Sequence, residues 1–74
     1  MSKLPRITGK EMVAALQRGG FSVVRITGSH HHLHRPGSGL VTVPVHPGEV
    51  LSPMLVKSIL EQAGLTVDNL RELL

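Results

Sequence analysis

Phe21 is the only phenylalanine, tyrosine or tryptophan in this chain, and there is no cysteine. These two absences narrow what the chain can fold into. A chain of 74 residues buries only about 60% of the surface its unfolded form exposes. Here Leu, Val, Ile and Ala must fill the core, and no disulfide can staple it. The same absences bear on function. Thiolate metal sites need cysteine, and a sheet that stacks bases on several aromatic rings needs more rings than one.

With an aliphatic core, the pattern of apolar positions carries the fold. Thr8 followed by Glu11 has the form of a capping box, in which hydroxyl and carboxylate each satisfy a free backbone N–H. Met12, Val13, Ala15 and Leu16 continue as an apolar stripe that Gly19 and Gly20 end, which predicts a helix over 8–18. Residues 1–7 read as a loose arm. Residues 21–27 are rich in β-branched side chains and read as a strand. Gly28 and Ser29 form a turn, residues 30–35 a second strand, residues 36–39 a loop and residues 40–45 a third strand. Pro44 cannot donate to a ladder, so it marks a strand end or a sheet edge. Ser52 before Pro53 is an N-cap followed by proline at the first helical position. Leu55, Ile59, Leu60 and Ala63 give the apolar face of a helix over 52–63, and Gly64 stops it. Thr66 or Asp68 caps a short third helix through Leu70, Leu73 and Leu74.

No repeat or low-complexity linker interrupts this order, and residues 1–74 read as one domain. The expected class is α+β: a three-stranded antiparallel sheet with helices on one face and the other face in water. That is the α-β-β-β-α layout of double-stranded-RNA-binding-type domains, with a short third helix added at the end.

Strand side chains alternate between faces, so each strand can be divided. Val24 and Ile26 read as inward and Arg25 as outward. Leu33 takes His31 inward with it, and His30, His32 and His34 point outward. Val41, Val43 and Val45 form the apolar set of the third strand, opposite Thr42, Pro44 and His46. The free face then shows Arg25, His30, His32, His34 and His46.

Lys and Arg number 8 against 5 Asp and Glu, a net charge of +3 with neutral histidines. No Asp or Glu lies between Met12 and Gly48. A polyanionic partner fits this balance. The histidines admit three readings: a solvated polar face, a metal site, or acid–base chemistry. A metal site is disfavoured because same-face residues stand about 6.5–7 Å apart along a strand and no carboxylate accompanies them. Imidazole can move protons near neutral pH, as RNA cleavage by 2′-hydroxyl attack requires. Arg25, Arg35, Lys10 and Lys57 are candidates for phosphate contacts. The N-terminus lacks the apolar run of a signal peptide, and no stretch approaches the ~20 apolar residues of a membrane span. The expectation is a cytoplasmic protein without membrane association.

Gly20-Phe21, Arg25 and Gly28-Ser29-His30-His31 resemble the G-F-x-x-x-R-x-x-G-S-H-H core of the HicA toxins, also called the YcfA-like family. Thr42-Val43-Pro44-Val45-His46 resembles the family's third strand. Leu55-Val56-Lys57-Ser58-Ile59-Leu60-Glu61-Gln62-Ala63-Gly64-Leu65 resembles its second helix, and Gly9-Lys10-Glu11 with Leu16 its first. Where relatives commonly open the second helix with Gly-Thr-Leu, this chain has Ser52-Pro53-Met54-Leu55. The histidines at 32 and 34 are also departures.

The resemblance implies a double-stranded-RNA-binding-like fold and a ribosome-independent endoribonuclease that cleaves mRNA and is neutralised by a HicB-type antitoxin. The histidine after Gly-Ser, His30, is then the catalytic residue, and the resemblance also implicates Gly28; the physical reading is that a side chain there would crowd the backbone beside His30. Ser29 and His46 are supporting candidates. No metal or cofactor is expected. The alternatives are a module that binds RNA on the same basic face without cutting it, and a subunit that only contacts protein.

Overall fold

A computed structural model describes residues 3–74. Its elements run α1 Gly9–Arg18, β1 Ser22–Thr27, β2 His30–His34, β3 Val41–Pro44, α2 Pro53–Ala63 and α3 Val67–Leu73. Local chemistry sets the helix starts. The Thr8 hydroxyl accepts from Glu11 N at 3.2 Å while the Glu11 carboxylate accepts from Thr8 N at 2.9 Å, so two of the orphan donors at the start of α1 are satisfied. Ser52 caps α2 by accepting from Leu55 N at 3.2 Å, with Pro53 behind it in the first turn. Thr66 caps α3, and Asn69 returns the bond in a second capping box.

The three strands form an antiparallel sheet in the order β1-β2-β3. Leu33 pairs with Val23 and Val41, and His31 with Ile26 and Val43. Directly opposed residues share a face, so Val23, Leu33, Val41 and Val43 face the helices. Leu33, Val41 and Val43 are fully buried against Met12, Leu16, Val56 and Ile59 in one core. All helices therefore lie on one side of the sheet, in the double-stranded-RNA-binding-like α+β arrangement. Every buried core residue is apolar.

Two expectations are corrected. Val24 does not face the core: the ladder shifts between Val23 and Arg25, and this bulge leaves Val24 58% exposed. Val23 takes the inward place. An extra residue in one strand breaks the two-residue alternation, so Arg25 still shares the face of its partner His32. Ile26 keeps the helix-side register opposite His31 but lies 58% exposed.

The segment before α1 is likewise no loose arm over residues 3–7. Ile7 is buried, its carbonyl accepts from Leu51 N at 2.8 Å, and Thr8 bridges Val50. The Arg71 guanidinium donates to the Lys3 carbonyl. These partners are distant in sequence, so no local pattern announces them. Residues 1–2 of the expected arm lie outside the described residues.

Candidate functional site

The sheet face turned away from the helices carries the polar rows. Across β1, β2 and β3 the register sets Thr27, His30 and Pro44 in one row and Arg25, His32 and Thr42 in the next. Ser22 and His34 form a further pair. The outward set expected for β2 is therefore on one face, with Arg25 beside it.

His30 opens β2 directly after the Gly28-Ser29 turn. Gly28 has φ +59 and Ser29 does not have a positive φ, which matches hairpin turns that place glycine at the first central position. The crowding expected at Gly28 is corrected: a Cβ there would meet nothing within 4 Å. Glycine suits the position because its backbone occupies the left-handed region. His30 is exposed, and its ring has no hydrogen-bond partner among the described residues.

Ser29 ties this turn to the end of β3. Its carbonyl accepts from Val45 N at 2.7 Å, and its hydroxyl stands 3.5 Å from His46 Nε2, the long limit of a hydrogen bond. His46 is exposed. It also lines a cleft of about 370 Å³ with Arg6, Pro44, Glu49, Ser52 and Leu55. His30 and His46 thus flank one corner of the sheet, since His30 pairs with Pro44, two residues before His46.

His32 is held differently. Its Nε2 lies 3.0 Å from Thr27 Oγ1 and its Nδ1 3.0 Å from Thr42 Oγ1. Hydroxyls donate or accept as required, so either neutral tautomer keeps both bonds. His31 faces the helix side, half-buried, and its Nδ1 is buried without a partner among the described residues. His34 is exposed. Among the described residues, no three His, Asp or Glu side chains converge in a way that could hold a metal ion.

The four basic candidates separate. Arg25 is exposed on the histidine face. Arg35 is half-buried: its guanidinium lies 4.5 Å from the Phe21 ring centroid and donates to the Gly19 carbonyl at 2.9 Å. Lys10 and Lys57 are exposed on α1 and α2, helices that cover the other side of the sheet. Sequence reasoning missed the Thr27–His32–Thr42 bridge and the contribution of Arg6. Same-face parity flags Thr42, but only strand register brings Thr27 and Thr42 to opposite sides of His32.

Fold and face together define a small α+β protein with a double-stranded-RNA-binding-like fold whose open sheet surface carries imidazoles and an arginine. Comparison with protein families adds the particular assignment. The family profile for the HicA toxin of bacterial toxin–antitoxin systems matches residues 9–65, and the chain belongs to that family. No curated protein matches the chain. Membership in a toxin–antitoxin family implies an antitoxin partner. Among the described residues, no helix is long and apolar enough to cross a membrane.

Proposed function

We propose that this protein is an endoribonuclease toxin that cleaves mRNA in the cytoplasm, independently of the ribosome, with His30 as its general acid or base. One observation carries the reading: the histidine that follows Gly28-Ser29 in a HicA-family chain stands exposed on the free sheet face, its ring without a hydrogen-bond partner among the described residues.

The reaction requires two proton transfers. The 2′-hydroxyl of the substrate loses a proton as its oxygen attacks the adjacent phosphorus, and the departing 5′-oxygen gains one. A 2′,3′-cyclic phosphate and a new 5′-hydroxyl end result. Imidazole suits either transfer, and such catalysis typically supplies about 10²–10⁴-fold. His30 takes one role. His46, beside Ser29 at the same corner, is a candidate for the other. Arg25 sits one row away and stabilises charge on the phosphorane or holds an adjoining phosphate. Gly28 and Ser29 set the backbone from which His30 projects. A HicB-type antitoxin covers this face and withholds it from RNA.

The test uses a long RNA, the wild type, His30→Ala and His30→Gln, with and without chelator. Both variants are expected to fold and to bind RNA and antitoxin, yet to cut at least ~10²-fold more slowly. The wild type is expected to stay active in chelator. Full activity in His30→Ala would remove His30 from the chemistry, and activity lost in chelator would point to a metal-dependent reaction.

A further inference from the structure

We propose that the recess framed by Val24, Arg25, His32 and Leu40 binds one unpaired RNA base next to the scissile phosphate; this rests on the ribonuclease activity proposed for the same face. The recess measures about 280 Å³ and these four residues line it.

Its walls are hard to explain as packing. Val24 is 58% exposed and Leu40 56% exposed, although both are aliphatic. Bulges re-aim side chains and are over-represented beside active sites; this one turns Val24 into the same recess that His32 lines. Leu40, immediately before β3, reaches the same recess. Two apolar side chains in water beside Arg25 and His32 form a contact surface for something apolar and flat.

His32 supplies the plane. Both of its nitrogens are engaged by Thr27 and Thr42, so neither can face a substrate without giving up a standing bond. The ring is instead braced in position on the sheet. Histidine rings serve as stacking partners for unstacked bases, and in this chain the single phenylalanine is buried, which leaves imidazole as the aromatic plane on the face. Arg25, opposite His32 in the ladder, adds a guanidinium able to stack on a base or hold its phosphate.

Position and charge favour RNA over an apolar protein segment. His32 lies two residues from His30 on one face, about 6.5–7 Å away, a span that one extended nucleotide step covers. Between Glu11 and Glu49 there is no carboxylate, only Arg18, Arg25, Arg35 and the histidines, so nothing on the sheet repels a polyanion. A base within a duplex has both faces stacked, so the occupant is single-stranded.

The experiment maps a cut site on long RNA, then uses a short single-stranded oligoribonucleotide containing it. The same strand is made with an abasic nucleotide at each position in turn, and as a duplex. For the wild type, kcat/KM should fall about tenfold or more when the abasic nucleotide adjoins the cut, change little when it lies far away, and fall in the duplex. In Leu40→Ser and His32→Ala the ratio of intact to abasic rates should move toward one. Val24→Thr, nearly the same shape and on an exposed site, repeats the measurement without a folding risk, and circular dichroism checks all three. Equal cutting of every abasic strand by the wild type would overturn the subsite. So would variants that keep the wild-type ratio, including variants that lose antitoxin binding alone, since that result would assign the recess to the protein partner. A wild type that cuts no RNA would defeat the activity and the subsite together.

Discussion

Gly9 and Gly28 are both close to the candidate site, and each is glycine for a different physical reason. At Gly9 the obstacle is space: a Cβ would stand 2.1 Å from the Pro44 carbonyl oxygen, where the start of α1 meets the end of β3. At Gly28 the obstacle is the backbone, φ +59 in open surroundings. Alanine at Gly28 should cost about 1–2 kcal/mol, the penalty for an L-residue in the left-handed region, and asparagine should cost less because it tolerates that region. At Gly9 alanine should cost about 1–3 kcal/mol or more through overpacking, and asparagine should be worse than alanine. Urea denaturation of the four variants checks the order. Equal costs for alanine and asparagine at Gly28 would remove the conformational explanation. Sequence pattern flags Gly28 through its turn, but whether a glycine answers to space or to torsion depends on neighbours from distant segments.

β1 shows most clearly where pattern reading ends. Val23 and Val24 are adjacent and chemically identical, so alternation alone cannot choose the inward one; the choice belongs to a bulge defined by pairing with β2. Val23 packs partly against the core while Val24 is 58% exposed. Val23→Ala should therefore cost about 1 kcal/mol, a fraction of the 1.5–3 kcal/mol for a fully buried aliphatic side chain. Val24→Ala should stay within about 0.5 kcal/mol of wild type, as surface substitutions do. Thermal denaturation that ranked them the other way would put Val24 in the core and empty the recess of its apolar wall. The strands β2 and β3 are readable because their aliphatic residues, Leu33 in β2 and Val41 and Val43 in β3, hold one parity, and the helices because their caps are written in nearby residues. The Ile7–Leu51 pairing, the Thr27–His32–Thr42 bridge and the helix-side covering of β3, where Gln62 Oε1 accepts from Thr42 N at 3.2 Å, all join segments far apart in the chain. None leaves a local signature.

The described residues span 34 × 29 × 18 Å, and at this scale the carboxylates keep away from the sheet. The five acidic residues are Glu11, Glu49, Glu61, Asp68 and Glu72, all outside the three strands, so the ionisable side chains on the strands are Arg25 and four histidines. A polyanion bound there should release counterions, with a salt slope of about −0.7 per phosphate contacted on a single strand. The two arginines of this region should then behave differently despite equal formal charge. Arg25 is exposed on the histidine face, whereas the Arg35 guanidinium is folded against Phe21 and bonded to the Gly19 carbonyl. Withdrawing Arg35 toward a phosphate would give up both contacts. Binding of a 2′-O-methyl single strand, which has no attacking hydroxyl, can be titrated across salt concentrations without cleavage. Arg25→Gln should weaken binding and reduce the slope by about 0.7, one phosphate contact. Arg35→Gln should leave the slope unchanged and instead lower the melting temperature. A slope lowered equally by both substitutions would mean that Arg35 leaves Phe21 to reach the nucleic acid, and that the binding surface extends past the sheet face to the start of β1.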